Sequence, residues 1–187
     1  MRVSREEMQR SHARIVAAAA RLARERGIEN SSVADVMSQA GLTQGGFYRH
    51  FDSKDALMAA AVASAFDVMG TALEQRFKTR GPTSALSGYR ADYLSRGHIE
   101  NPGIGCPMPT LAADVARGSE TLKAAFGAGV TRAVALLAEA QDGTQTQKRA
   151  AAMRELAMLV GAVVIARASD PETARAMLAA CRVEEEK

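Results

Sequence analysis

The sequence predicts an all-α protein, and three observations support this fold class. Ala and Leu are plentiful while aromatic residues make up only 4% of the chain, so the core must consist of small aliphatic side chains that favour close-packed helices over sheets. Apolar residues recur at helical spacing along most of the chain, and no segment shows the convincing two-residue alternation of a strand. We therefore expect about nine helices, three small ones followed by a bundle.

The N-terminal part is predicted to form the three small helices. Residues 6–26 have one apolar and one charged face, as in an amphipathic helix. Ser32 is a suitable N-cap for a short helix over Val33–Ala40, which should end at Gly41. Thr43 is the next N-cap candidate, and Gln44–His50 should form one or two helical turns.

The rest of the chain is also predicted to be helical, interrupted by segments rich in Gly and Pro. A loop is expected over Asn101–Pro109, where Gly and Pro are concentrated. The predicted helices are Lys54 to Lys78, Ser84–His98, Thr110–Arg117, Glu120–Ala140, Gln147–Ala168 and Glu172–Val183.

Two short helices joined by a tight turn that contains Gly are typical of the helix-turn-helix, whose second helix presents its first residues to base edges in the major groove. Here those residues are Gln44, Gly45 and Gly46. A Gln side chain can bond two edge atoms of adenine. Each Gly costs a helix about 1 kcal/mol relative to Ala, so close approach of the backbone to DNA is a better reason for both glycines.

Several neighbouring side chains are suited to hold phosphates. Tyr48 and His50 follow the two glycines, and Arg49 lies between them, either as a phosphate contact or as a solvated side chain. Ser32, Thr43 and Lys54 lie at helix starts, where free N–H groups and the helix dipole favour an anion. Phe47 and Phe51, four residues apart, should instead face the core.

The segment Ala40–Leu57, AGLTQGGFYRHFDSKDAL, resembles the TetR family of bacterial repressors, and the resemblance extends over residues 12–58. It implies an operator-binding domain at residues 1–53 and a helical ligand-binding and dimerisation domain at residues 54–187. The implied partners are double-stranded operator DNA and a small-molecule effector that releases it. The DNA-contacting residues carried over from the motif are Ser32, Thr43, Gln44, Gly45, Tyr48, His50 and Lys54.

The segment Gly103–Arg117, GIGCPMPTLAADVAR, is similar to a Gly-Cys segment found in one branch of that family, in which such a Cys can sense electrophiles or oxidants. A thiol ahead of a helix start can have a lowered pKa, so a redox role for Cys106 is one alternative. A buried, inert Cys is the other. The groups best able to shape a ligand pocket are Phe66, Tyr89, Tyr93, His98 and Phe126.

The last two predicted helices, about residues 147–168 and 172–183, carry apolar stripes with Gly161 and several Ala residues that permit close helix contact. The stripes fit either the core of one subunit or the four-helix interface of a homodimer, which the resemblance implies. The acidic tail Glu184–Glu186 is expected to be frayed and solvated.

Other classes of protein find little support in the sequence. No phosphate loop, nucleophile elbow or paired catalytic carboxylates suggest an enzyme. No cofactor motif is evident, and no His, Cys and Asp cluster has metal-ligand spacing. A run of about 18 consecutive apolar residues is missing, so we expect a cytoplasmic protein with no membrane segment. The remaining alternative is a helical interaction module that does not bind DNA.

Overall fold

The computed structural model describes residues 4–182, which form helices and turns without a strand and confirm the predicted all-α class. Two 3-10 helices, Gln44–Arg49 and Pro102–Ile104, interrupt the α-helical series. The α-helices of the described residues are α1 (Arg5–Arg26), α2 (Val33–Gln39), α3 (Lys54–Arg80), α4 (Pro82–Tyr93), α5 (Arg96–Glu100), α6 (Met108–Ala116), α7 (Glu120–Ala138), α8 (Gln145–Ala168) and α9 (Pro171–Ala180).

Side-chain caps define most helix starts. Ser32 accepts a hydrogen bond from the Asp35 N–H, and Ser53 and Ser119 cap α3 and α7 in the same way. Thr144 caps α8 within a capping box completed by Gln147. Because each cap satisfies N–H groups that have no partner inside the helix, these starts are encoded locally.

The central contact of the fold is between α3 and α7, with α1 packed on α3 and α8 packed on α7 and α9. Phe66 of α3 and Phe126 of α7 meet edge to face with ring centroids 5.3 Å apart. Gly129 of α7 lies directly against Phe66, and a Cβ atom at this position would overlap the ring. The absence of a side chain at Gly129 is therefore what lets these two helices approach each other.

Both central helices are long and apolar enough to cross a membrane by length and composition alone, which a count of consecutive apolar residues did not reveal. Half of the most apolar window of α3 is buried inside the protein, against α1 and α7. The corresponding window of α7 is 28% buried. Core helices of this kind pass the same test of length and composition, so two such helices are weak evidence for a membrane span.

Several predicted boundaries were wrong. The expected helix Ser84–His98 is divided, because the Ser95 hydroxyl donates to the Asp92 carbonyl and accepts from the His98 N–H. The region Gln44–His50 is a 3-10 helix that ends at Arg49. Helix α6 begins at Met108, before its predicted start at Thr110, because Pro109 occupies the first turn, where no N–H is needed.

The last helix also differs from its prediction, because α9 ends at Ala180. Val183, where the helix was expected to end, and the tail Glu184–Glu186 lie outside the described residues.

Candidate nucleic-acid interface and ligand cavity

A tight turn joins α2 to the 3-10 helix Gln44–Arg49. The N–H of Leu42 donates to the Met37 carbonyl at 2.9 Å, and the N–H of Gly41 donates to the Ser38 carbonyl at 2.9 Å. This pair of bonds is the Schellman motif, and it places Gly41 at φ +67°, a conformation that glycine adopts without strain. The turn angle between the two helices is therefore set by Gly41.

Aromatic packing holds the 3-10 helix against α1. Phe47 and Phe51 are buried with ring centroids 6.0 Å apart, which confirms their predicted inward orientation. The His12 ring of α1 stacks on Phe51 at 4.6 Å. Since the buried rings fix one side of the short helix, its other side must face solvent.

That solvent-facing side carries the predicted DNA-contacting residues of this segment. Tyr48 is 78% exposed, and Thr43, Gln44 and Gly45 are exposed as well. The Thr43 side chain makes no capping hydrogen bond, although the residue occupies the N-cap position. A Cβ atom on Gly45 would meet nothing within 4 Å, so packing inside this chain does not explain the glycine. We call Thr43, Gln44, Gly45 and Tyr48 the exposed face.

Ser32 and Lys54 flank this segment and already have partners within the chain. The Ser32 hydroxyl donates to a carboxylate oxygen of Asp35 at 2.7 Å while it caps α2, so its proton is engaged. The Lys54 ammonium donates to the Glu29 carbonyl at 3.0 Å. A lysine carries three N–H donors, so Lys54 keeps both its charge and donors for an anion.

His50 is half-buried at the C-terminal end of the 3-10 helix, with its ring centroid 6.0 Å from that of His12. Burial lowers the pKa of His50, and the neighbouring His12 and Arg49 lower it further. The imidazole is therefore neutral at pH 7, where one ring nitrogen can still donate a hydrogen bond.

A cavity of about 280 Å³ lies between α3, α4 and the Gly103–Cys106 segment. Its wall is mainly apolar, and two wall residues, Val68 and Ile104, are large hydrophobic side chains exposed by 70% and 79%. Tyr89, Tyr93 and His98 line it as expected, whereas Phe66 and Phe126 pack against each other elsewhere. The polar members of the wall are Arg24, Arg76, Tyr89, Asp92, Tyr93 and His98.

Cys106 lies in the wall of this cavity and is 5% exposed. Burial raises the pKa of its thiol to about 11, more than the nearby Tyr93 hydroxyl, Arg167 and Arg24 lower it. The alternative of a thiol activated by the following helix start is not supported, because desolvation of the thiolate outweighs the helix dipole. The structure therefore supports the alternative of a buried, inert Cys.

His98 organises the backbone around Cys106. Its Nε2 atom accepts the Cys106 N–H at 3.0 Å, and its Nδ1 atom lies 2.6 Å from the Tyr93 carbonyl. Both ring nitrogens are thus occupied in the neutral form, and burial lowers the pKa of His98. The ring has a structural role, and within residues 4–182 no three metal-binding side chains come together.

Sequence reasoning missed the residues that connect α1 to the cavity. Arg24 of α1 donates from Nε and Nη2 to the Gly103 carbonyl, at 2.9 and 2.6 Å, and also lines the cavity. Asp114 of α6 accepts the Ile28 N–H at 2.8 Å, just after α1 ends. The partners in these two contacts are separated by 79 and 86 positions in the sequence. No local sequence pattern predicts contacts at such separations.

A helix-turn-helix with one exposed polar face, joined to a helical body that contains a ligand-sized cavity, defines the class of helix-turn-helix transcriptional regulators. Residues 15–61 match the model of the bacterial regulatory proteins of the tetR family. The N-terminal part of the chain is thus similar to the DNA-binding segment of the tetR family of bacterial regulatory proteins.

Two curated regulators of Pseudomonas putida are similar to this chain: the HTH-type transcriptional regulator TtgR and the probable HTH-type transcriptional regulator ArpR. Each is 38% identical over 64 residues, which cover 34% of this chain and 30% of the relative. The aligned part of the chain thus spans less than a third of the length of these relatives.

Solved structures extend the similarity of fold to nearly the whole chain. The reduced form of NemR from E. coli aligns with a TM-score of 0.77 and 22% identity, over 92% of this chain and 95% of its own. A TetR-family regulator from Agrobacterium tumefaciens has a TM-score of 0.74 and 23% identity, covering 92% and 96% of the two chains. One from Cytophaga hutchinsonii has a TM-score of 0.75 and 18% identity, over all of both chains.

Proposed function

We propose that this regulator is a cytoplasmic repressor that binds a near-palindromic operator as a homodimer and is released by a small-molecule effector. Residues 1–53 would bind DNA, and residues 54–187 would bind the effector and form the dimer. The observation that carries the proposal is the exposed face of the 3-10 helix, whose polar side chains make no hydrogen bond within residues 4–182. Its relatives are transcriptional regulators, a class that is not normally enzymatic, and we propose no catalytic function.

The residues of the exposed face are suited to DNA in different ways. Gln44 can read an adenine edge, and the Gly45 backbone can approach the groove because no side chain intervenes. The hydroxyls of Thr43 and Tyr48 can donate to phosphate oxygens. His50 and Lys54 would add phosphate contacts at either side, whereas Ser32 would contribute through the N-terminus of α2 because its hydroxyl proton already bonds Asp35.

Substitution of the phosphate-facing residues tests the DNA-binding role. We expect Tyr48→Ala and Lys54→Gln each to weaken operator binding by at least about tenfold, because a charged hydrogen bond is lost in both half-sites. For Lys54→Gln the slope of log affinity against log salt should become shallower by about 1 for each phosphate that the lysine no longer neutralises, whereas Tyr48→Ala removes no charge and should keep the slope. Lys78→Gln, an exposed substitution at the far end of α3, is the matched control.

Fluorescence anisotropy with labelled operator at several salt concentrations measures both quantities. If Tyr48→Ala and Lys54→Gln bind as tightly as Lys78→Gln, and Lys54→Gln keeps the parental salt slope, this DNA-binding geometry is wrong. A helical interaction module without DNA binding would give that result.

An uncovered apolar stripe on α8 supports the homodimer. Met153, Val164 and Ile165 are exposed by 46%, 43% and 42%, and Ala157 and Ala168 are exposed as well. Apart from Ile165, these residues follow helical spacing. Gly161 lies in the same stripe, with open space where a Cβ would be. A second copy of this stripe would cover it in a two-fold four-helix contact with α9.

Charge placed in this stripe should dissociate the dimer. We expect Val164→Glu to give a monomer by sedimentation velocity, because an unpaired carboxylate would be buried in the contact. Val68→Glu, at an exposed Val on α3, should remain dimeric. Dissociation of both variants, or of neither, would argue against this interface.

The cavity is the site we assign to the effector. Its volume is near the lower end of the range for ligand pockets, roughly 300–1,000 Å³, and its wall combines apolar residues with a few polar groups. Arg24 links it to α1 of the DNA-binding part. An effector that binds better when this link is rearranged would shift the dimer away from the operator-binding state.

A further inference from the structure

We propose that the cavity binds a small, mostly apolar organic acid, whose anionic group is received by Arg24 with hydrogen bonds from Tyr89 and Tyr93. This inference rests on the effector site proposed above and specifies its ligand. It also implies that the ligand acts on the contact between Arg24 and Gly103.

Arg24 supplies the positive charge. It is half-buried in the cavity wall, and its Nε and Nη2 atoms donate to one neutral acceptor, the Gly103 carbonyl. Within residues 4–182 no carboxylate forms an ion pair with it, since the adjacent Glu25 pairs with Arg21. Burial lowers the pKa of Arg24, which shows that its charge is poorly solvated. An anion in the cavity would compensate this charge.

The two tyrosines supply hydrogen-bond donors that need an acceptor. Both side chains belong to the cavity wall, their ring centroids lie 5.4 Å apart, and Tyr93 is 5% exposed. The hydroxyl oxygens of Tyr89 and Tyr93 are buried. That of Tyr89 has no hydrogen-bond partner in the part of the chain that the structure describes, and that of Tyr93 has only the Cys106 thiol, a weak acceptor, beside it. A buried hydroxyl without a partner is unfavourable, so a ligand acceptor would be stabilised here.

The other polar groups of the cavity wall do not oppose the binding of an anion. Arg76 pairs with Asp92, so their charges offset each other. Both nitrogens of His98 are engaged, and burial lowers its pKa so that it stays neutral. Burial also keeps the Cys106 thiol protonated, with its pKa raised to about 11. The net charge of the wall is that of Arg24, and the apolar area between the polar groups fits a hydrocarbon ligand body.

Three naphthalene probes of one shape test the charge preference: 2-naphthoate, 2-naphthamide and 2-naphthylmethylamine. The chain contains no Trp, so naphthyl fluorescence reports binding with little protein background. We expect the acid to bind at least about tenfold more tightly than the amide, and the amine to bind most weakly. Equal binding of acid and amide, tighter binding of the amine, or no binding of any probe at millimolar concentration would overturn the proposal.

Variants assign the preference to individual groups. Arg24→Gln should reduce the ratio of acid to amide affinity to about twofold, whereas Arg10→Gln, an exposed substitution on the same helix, should leave it unchanged. Tyr89→Phe should weaken acid binding without lowering the melting temperature, because it removes a hydroxyl that has no partner within residues 4–182. A lower melting temperature with unchanged acid binding would show a purely structural hydroxyl and contradict its role here.

Measuring operator affinity with and without the acid distinguishes failure of the acid-binding proposal from failure of the proposed effector role. If the acid binds as expected but leaves operator affinity unchanged, the anion site stands and the effector role of the cavity fails. If a neutral or cationic compound occupies the cavity and releases DNA while the acid does not bind, the proposed effector control of DNA binding holds and the proposal of an acidic ligand is wrong.

Discussion

Replacement of Gly45 by Ala tests whether the backbone of the 3-10 helix Gln44–Arg49 lies close to DNA. The structure offers no internal reason for this glycine, since its φ is not positive and a Cβ would meet nothing within 4 Å. An added methyl therefore costs no packing energy, and helix propensity would stabilise the fold by up to about 1 kcal/mol. The substitution should leave stability unchanged or slightly raise it.

Operator affinity should change in the opposite direction. If DNA lies against the Gly45 backbone, the methyl group must displace it in both half-sites of the dimer. We expect a loss of at least about tenfold, equal to about 1.4 kcal/mol shared between two contacts. Gly127→Ala is the control, because Gly127 is also exposed, lies in a helix and has open space around its Cα.

Thermal denaturation by circular dichroism measures the first effect, and fluorescence anisotropy with operator DNA measures the second. Opposite changes in stability and affinity for Gly45→Ala, with unchanged affinity for Gly127→Ala, are the expected results. Unchanged operator affinity for Gly45→Ala would refute close backbone approach, and a large drop in melting temperature would refute the absence of a packing role.

Three further predictions concern the packing of Gly129 in the core, the hydrogen bond between Asp114 and the Ile28 N–H, and the pH dependence of operator binding. Gly129→Ala should lower the free energy of unfolding by about 1–3 kcal/mol in a denaturant titration, because its methyl group would overlap Phe66, whereas Gly127→Ala should not. Asp114→Ala should lower it by about 1–3 kcal/mol by leaving the buried Ile28 N–H without its acceptor, and Asp114→Asn should lower it less, since the amide oxygen can still accept. The pKa of His50 is lowered in the free protein, and an adjacent phosphate would raise it, so operator binding takes up a proton. Operator affinity should therefore increase as the pH falls from about 7.5 to about 5.5, and the His50→Gln variant should not show this increase. A stable Gly129→Ala, an unaffected Asp114→Ala or an unchanged pH profile in His50→Gln would each contradict the corresponding contact.

The helix-turn-helix was predictable because its determinants are local. The cap at Ser32, the glycine stop at Gly41 and the spacing of Phe47 and Phe51 each act within a few residues. Short-range hydrogen bonds and helical periodicity therefore identify the elements before any tertiary contact is known. The break at Ser95 was missed because a Ser hydroxyl competes with the helix only in some contexts.

The cavity was only partly predictable. Tyr89, Tyr93 and His98 were identified because polar aromatic residues are rare in this chain. Arg24 belongs to the charged face of the predicted amphipathic helix over residues 6–26, and nothing local indicates its contact, since its partner Gly103 is 79 residues away and has no side chain. The two alternatives for Cys106 could not be separated for a related reason, because the sequence shows the nearby helix start and hides the burial that dominates.

Selection of bound DNA from a random pool tests the central claim most directly. A homodimer with one recognition helix in each subunit should enrich an inverted repeat, with half-site centres about 10 base pairs, or a multiple of that, apart. The Tyr48→Ala variant should fail to enrich the same sequence. Enrichment of a single asymmetric site, or no enrichment above the starting pool, would contradict the account of this protein as a dimeric operator-binding regulator.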